Sequence, residues 1–415
     1  MIQASLVTAL LGFGLLRLMR RSQPTWWRVK AVRWALYAVA AASPLGSLLR
    51  FAGRSMQAPA VSAAGSLLAA AVILVLALYL SMPIASLARY AVKRWGKLDA
   101  PAPETPEAVR AETPPPADAP APPETPAARP AITAPLVTRR LVLEAAVAAA
   151  PVTMFGLGAG GIVGGFAGTR VTERRLSFAG LSQGLSGLRV MQLTDLHLGA
   201  FFGPSSIPAL VEKIAAAKPD LLVLTGDICD HLPYLEPALR QIEEVIPRLG
   251  AYAVMGNHEY YRGEKATRRI YDKTRIEMIT STHRSLDVGG EKLVLVGVDD
   301  PSGYSRSPDV RAMLADRALD GAPSDGFKLA LCHRPSGFDA LADRGVDLTL
   351  SGHTHGAQIG IGERSVLEPV LPDWYLWGSY ERAGKQLYTS SGAGHWAAFR
   401  LACPSEAPVI EIVSR

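Results

Sequence analysis

Carboxylates are missing from the first 98 residues, which hold twelve lysines and arginines but no aspartate or glutamate. An ordinary soluble surface mixes both signs of charge, so this stretch does not read as a soluble domain. Cysteine is scarce, with three in 415 residues. That excludes a disulfide-rich scaffold and leaves at least one thiol unpaired. A chain of this length buries enough core to need no structural crosslink. The formal net charge of +6 would ordinarily suggest nucleic acid or an anionic membrane as partner. Its distribution argues against nucleic acid: +12 over residues 1–98, −4 over 99–135 and −2 over the remainder.

Residues 1–98 read as a membrane region with about three spanning helices. Three apolar runs stand out: Ile2 to Leu16, Trp34 to Leu49 with Pro44 inside it, and Leu67 to Leu80. A span needs about 20 apolar residues. The third run meets this within an uncharged stretch between Arg54 and Arg89, whereas the first two are short. Residues 99–135 contain twelve prolines and read as an extended linker. Residues 136–170 form a fourth hydrophobic segment. It opens with Thr138-Arg139-Arg140-Leu141-Val142-Leu143, which resembles a twin-arginine export signal, and is uncharged from Ala145 to Thr169. No clear cleavage site is visible, so an uncleaved span is expected.

Basic residues then set the orientation. Arg17, Arg20, Arg21, Arg28, Lys30 and Arg33 crowd the first loop, and Arg89, Lys93, Arg94 and Lys97 follow the third run. The second loop carries only Arg50 and Arg54. Cytoplasmic loops hold the Lys/Arg excess. The first loop and the linker are therefore expected inside, and the C-terminal part on the outer, periplasm-like face of the membrane. Arg170, Arg174 and Arg175 argue weakly the other way.

From about residue 185 to 415 the pattern becomes α/β. Short apolar strands are expected at 188–193, 220–224, 251–255, 292–298, 329–332, 347–350, 385–390 and 408–413. Helices are expected at 207–217, 235–246 and 265–278. The segment from Thr169 to the first strand reads as a tether of about twenty residues. Polar blocks follow the strands: Asp195-Leu196-His197, Gly226-Asp227, Gly256-Asn257-His258-Glu259, His333, and Gly352-His353-Thr354-His355. Five of the eight histidines lie in these blocks. Ligands of α/β sheets gather beyond the carboxyl ends of strands. Mixed carboxylate, imidazole and amide donors suit Mn, Fe or Zn. Two ions about 3.5–4 Å apart need a donor that bridges them, and a carboxylate can.

These five blocks, in this order, resemble the calcineurin-like metallophosphoesterase superfamily. Ser351-Gly-His-Thr-His-Gly356, with Tyr260 and Tyr261 after Glu259, resembles its bacterial membrane-associated branch, which includes phosphodiesterases. The resemblance implies an αββα sandwich of two mixed sheets flanked by helices. It implies two divalent metals, one held by Asp195, His197 and His355 and the other by Asn257, His333 and His353, with Asp227 between them. It implies His258 as the group that protonates the leaving oxygen, with Glu259 orienting it. The function implied is a membrane-tethered phosphodiester or pyrophosphate hydrolase, with membrane lipids or a lipid-linked phosphate as partner and no nucleic acid. A phosphomonoesterase, or a non-catalytic sensor or scaffold on the same fold, is the alternative.

The other polar candidates read more simply. His231, His283 and His395 are expected on the surface or in loops. Cys229 and Cys332 are expected as small core residues rather than ligands, and Arg334 as a surface ion pair rather than a phosphate contact. Phe201, Phe202, Trp374, Tyr375 and Trp377 are expected either to pack or to meet an acyl chain or the membrane interface.

Overall fold

The computed structural model describes residues 2–22, 27–55, 139–301, 307–395, 397 and 399–415, with short stretches between 61 and 90. The linker at 99–135 and parts of the third apolar run lie outside the described residues.

Two N-terminal helices, α1 (Ile2–Ser22) and α2 (Lys30–Ser55), pack against each other and against helical residues 71–79. Leu15, Met19, Leu36, Val75 and Leu78 form their shared core. Much of the outward face is apolar, with Leu10, Phe13, Trp34, Leu45 and Leu48 more than half exposed. An apolar surface of that extent is costly in water. Among the described residues, Lys30–Ala52 is the one helical segment long and apolar enough to cross a membrane. Helix α3 (Arg139–Gly165) contains Pro151, and its apolar part is the shorter Ala149–Gly165.

Beyond α3 the chain folds into two six-stranded mixed sheets. The first contains β1 (Arg170–Phe178), β2 (Leu188–Leu193), β3 (Leu221–Thr225), β4 (Ala251–Val254), β5 (Ile276–Met278) and the last strand, β14 (Glu406–Ser414). Their order is β1-β14-β2-β3-β4-β5. The second contains β6 (Thr282–Val288), β7 (Glu291–Val298), β8 (Phe327–Cys332), β9 (Leu348–Ser351), β12 (Gly378–Arg382) and β13 (Lys385–Thr389), ordered β12-β13-β9-β8-β7-β6. A two-stranded hairpin, β10 (Gly360–Ile361) and β11 (Arg364–Ser365), stands apart. In each sheet a parallel run carries the site: β2 to β5 in the first, β7, β8, β9 and β13 in the second.

Alternation within the strands builds the layers. Leu221 and Val223 face the second sheet, where Leu293, Leu295, Leu329, Leu331, Leu348 and Leu350 meet them. Leu222 and Leu224 face the other way, under helices α4 (Ile207–Ala217) and α5 (Leu235–Ile242). Helix α4 buries Ile207, Leu210 and Ile214, and α5 buries Leu235, Ala238, Leu239 and Ile242, the spacing of one helical face. Helices α6 (Asn257–Arg262) and α7 (Glu264–Tyr271) follow β4. Helices α8 (Pro308–Leu319) and α9 (Phe338–Ala342) cover the outer side of the second sheet. Strands buried on both faces read as continuous apolar runs, which is why the sequence shows them. The architecture is the αββα sandwich with an apolar helical region ahead of it.

Two expectations need correction. The supposed tether after Thr169 is strand β1, paired with β14 along all nine of its residues. Arg170, Glu173, Arg174 and Arg175 mask it in the sequence, because it is an edge strand that keeps Arg170, Glu173 and Arg175 outward and pairs Arg174 with buried Glu406. The helix expected at 265–278 stops at Tyr271, and Ile276–Met278 crosses into the first sheet as edge strand β5.

Candidate metal centre

All five polar blocks converge at the carboxyl ends of the parallel strands. The first sheet supplies Asp195 and His197 after β2, Asp227 after β3, and Asn257 and His258 after β4. The second supplies His333 after β8, and His353 and His355 after β9. Five of these residues hold left-handed backbone: Asp195, His197, Asp227, His353 and His355 have φ between 48° and 68°. Such conformations cost about 1–3 kcal/mol each and gather where function requires them. Gly352 is required by crowding, since a Cβ there would lie 2.1 Å from Asp195 Oδ2.

The side chains form two donor clusters, Asp195-His197-His355 and Asp227-His333-His353, each with its donor atoms within 4.8 Å, and a third group, His197-Asp230-His258, that meets the same limit and shares His197 with the first. His197 Nε2 lies 3.1 Å from His355 Nε2, which lies 3.4 Å from Asp195 Oδ1. Asp227 reaches both clusters: its Oδ2 is 3.3 Å from His333 Nε2 and 3.9 Å from His197 Nε2. Its other oxygen accepts the His258 amide at 2.8 Å.

The residues fit a pair of cations. Asn257 Oδ1, His333 Nε2 and His353 Nδ1 are buried without a hydrogen-bond partner. Each such orphan costs about 1–3 kcal/mol unless something binds it. His333 Nδ1 donates to the Thr225 carbonyl at 2.9 Å, which turns the lone pair of Nε2 into the site. Burial, aided by His333 and Arg334, pushes His353 down to about 2, and burial pushes His355 well down, so both are neutral donors. Burial acts to raise Asp227, but the charges of His333, His197 and His258 outweigh it and hold this carboxyl well below the usual range.

His258 and Glu259 have different jobs. His258 Nδ1 lies 2.6 Å from Asp230 Oδ1, which also accepts from Arg262 at 3.0 Å. Its Nε2 faces the site, 3.8 Å from Asp227 Oδ2. Glu259 does not orient His258. Its carboxylate accepts four backbone amides, from Asp227, Ile228, Cys229 and Gly256, at 2.7–3.0 Å. It staples the loop after β3 to the loop after β4. The orienting acid is Asp230, which the sequence reading missed. Its signal was a second aspartate three residues beyond Asp227.

Other residues shift place as well. His395, expected at the surface or in a loop, is 6% exposed and packs against Phe166 and Phe201. Arg400, not singled out from the sequence, is buried and donates to the carbonyls of Ser391 and Gly394 at 2.8 and 2.7 Å, bracing the strand-end loop beside His355. Arg334 pairs with buried Asp300 and stands 2.6 Å from His353 Nε2 at the rim of the centre. His231 and His283 are half-buried and lie outside both donor clusters. Cys229, Cys332 and Cys403 are buried free thiols, burial pushes Cys332 up to about 12 and Cys403 up to about 11, and none of the three belongs to a donor cluster among the described residues. Trp377 is packed inside, bonded to Glu406, while Trp374 is exposed.

Comparison with known proteins places this geometry. Residues 188–357, which span every candidate ligand, match the calcineurin-like phosphoesterase family. A transmembrane protein with a metallophosphoesterase domain from Danio rerio is 29% identical over 206 residues, covering 48% of this chain and 47% of that protein. An uncharacterized metallophosphoesterase of Helicobacter pylori is 29% identical over 235 residues, covering 55% of this chain and 60% of that protein. The uncharacterized metallophosphoesterase YkuE of Bacillus subtilis is 27% identical over 232 residues, covering 54% of this chain and 78% of that protein. The chain thus spans about half to three-fifths of the length of the first two relatives. With two donor clusters joined by one carboxylate at the carboxyl ends of two facing sheets, residues 188–357 carry the domain that matches the calcineurin-like phosphoesterase family.

Proposed function

We propose that this chain is a membrane-tethered dinuclear-metal phosphohydrolase that cleaves phosphodiester or pyrophosphate bonds. The observation that carries the reading is Asp227 Oδ2, set between the two donor clusters. Asp195, His197 and His355 would hold one ion; Asn257, His333 and His353 the other; Asp227 both. Two divalent ions of Mn, Fe or Zn there would supply Lewis-acid charge for the phosphoryl group and acidify water at neutral pH. The chain's own contribution is placement and proton handling. Asp230 accepts from His258 Nδ1 and would stabilise the imidazolium form, whose second proton, on Nε2, would pass to the leaving oxygen and leave a neutral ring still bonded to Asp230. Arg334 brings a fixed cation to the rim, where charge builds on the phosphoryl oxygens.

The membrane part of the proposal rests on Lys30–Ala52, on the exposed apolar faces of the N-terminal helices, and on the Danio rerio and Bos taurus relatives named as transmembrane proteins. We place the chain in a bacterial inner membrane as a multi-pass protein, with the catalytic domain on the extracytoplasmic face and lipid-linked phosphoesters within reach. The test is turnover of bis-p-nitrophenyl phosphate by the full chain with added manganese. Wild-type protein is expected to turn it over, and Asp227→Asn to lose that activity. Equal turnover by the variant would sink the mechanism, and turnover of a phosphomonoester alone would replace the diester assignment.

A further inference from the structure

Where α3 ends, the chain turns through Phe166 and Thr169 before entering β1, and this turn borders a cleft of about 200 Å³. Phe166, Phe201 and Phe202 give it apolar walls; Lys213 and His395 give it polar ones. The Phe166 ring lies 6.1 Å from those of both Phe201 and His395, and the Phe201 and His395 rings are 5.5 Å apart.

Two features of this cleft lack an explanation in the fold. His395 is 94% buried by its 6% exposure, and neither of its ring nitrogens has a hydrogen-bond partner. Buried polar atoms are ordinarily satisfied, so a pair of orphans on a cleft wall points to a group that binds there. Lys213 donates to the Thr169 carbonyl at 2.5 Å, and no carboxylate pairs with it among the described residues. Its positive charge is therefore uncompensated at the edge of an apolar cleft.

The cleft adjoins the metal centre. Phe201 and Phe202 follow His197 by four and five residues. On the other side, Ala393 and Gly394 donate their amides to the carbonyls of Thr194 and Asp195 at 2.8 and 3.0 Å. Phe166 follows directly on α3, whose last turns leave Val163 73% exposed.

We propose that this cleft is the subsite for an alkyl chain carried by the phosphoester, with Lys213 and His395 receiving the polar atoms next to the chain. This deepens the phosphohydrolase reading and rests on it for the placement of the phosphate. Three phenylalanines with one cation and one imidazole suit a methylene chain. The hydroxyl residues Thr169, Ser206 and Ser405 also line the cleft, so a nucleobase is the competing occupant, which the adenosine monophosphate arm below tests.

The test uses the full chain in lipid nanodiscs, stripped of metal by a chelator, titrated calorimetrically with ethyl, butyl and hexyl phosphate and with adenosine monophosphate. Affinity is expected to rise about threefold to fourfold per methylene, the worth of burying a CH2 group. Ala209→Phe, which adds bulk to the cleft wall, is expected to flatten that slope. Phe201→Ala is the second variant should the first fail to fold, and a melting curve decides which is used. Equal affinity for ethyl and hexyl phosphate overturns the inference. So does a slope that neither variant alters, which assigns the gain to nanodisc lipid, and so does tighter binding of adenosine monophosphate than of hexyl phosphate. Turnover of bis-p-nitrophenyl phosphate with manganese, on the same preparation, separates the two claims. A preserved slope without turnover sinks the hydrolase reading alone, and preserved turnover without a slope sinks the cleft alone.

Discussion

Two acids near His258 divide the work of holding it. Asp230 touches the imidazole, and Glu259 holds the backbone on which Asp227 and His258 stand. Asp230→Asn keeps the size of the side chain but weakens its grip on the ring proton. Asp230 Oδ2 also lies 3.4 Å from Nδ1 of the candidate ligand His197, so we expect kcat for a phosphodiester to fall about 10–100-fold even with metal supplied at saturation, the usual cost of losing an outer-shell partner. Unaltered kcat in steady-state kinetics contradicts the assignment of Asp230. The candidate ligands were legible in the sequence, because they fall in short polar blocks that each follow an apolar strand. Asp230 was not, because its role depends on the turn that returns it to β2. Its amide donates to the Leu198 carbonyl at 3.0 Å, a contact between residues 32 apart. His395 lies in a loop, as one of its two expected placements had it, but a loop position says nothing of burial until Phe166, just beyond α3, packs beside it.

At the scale of elements, strand ends meeting across two sheets make the site, and close backbone approach keeps them there. Gly352 lets the loop after β9 come against Asp195, whose Oδ2 accepts the His353 amide at 2.9 Å. Gly352→Ala drives a methyl group into that carboxylate. The expected result is a protein that folds but loses most of its bound metal, read by elemental analysis beside circular dichroism. Full metal content in a folded Gly352→Ala protein contradicts the crowding argument. Helix α3 is tied to the site by a second close approach. The Arg400 amide donates to the Gly161 carbonyl at 2.6 Å, and a Cβ on Gly161 would sit 2.0 Å from the Phe399 ring. The buried strands β2, β3, β4, β7, β8 and β9 could be read from apolar runs. Strands β1, β5, β6 and β12 could not, because edge strands carry charge outward and lose the apolar signature.

At the scale of the whole molecule, the lack of carboxylates in residues 1–98 and the near-neutral remainder describe two different environments. On the topology proposed above the cation-rich loops lie on the cytoplasmic side, and four residues separate the end of α3 from the catalytic fold, which begins at Arg170. Without a long tether, the site stays close to whichever surface α3 meets. A C-terminal alkaline phosphatase fusion is expected to be active and a green fluorescent protein fusion dark. The reverse pattern contradicts the outer placement. The central claim, however, is the pair of ions. The direct measurement is the metal content of the purified full chain after reconstitution with manganese, by inductively coupled plasma mass spectrometry, in wild type and in Asp227→Asn. The account predicts about two ions per wild-type chain and one or fewer in the variant. A wild-type chain that holds one ion or none, or a variant that still holds two, would contradict it.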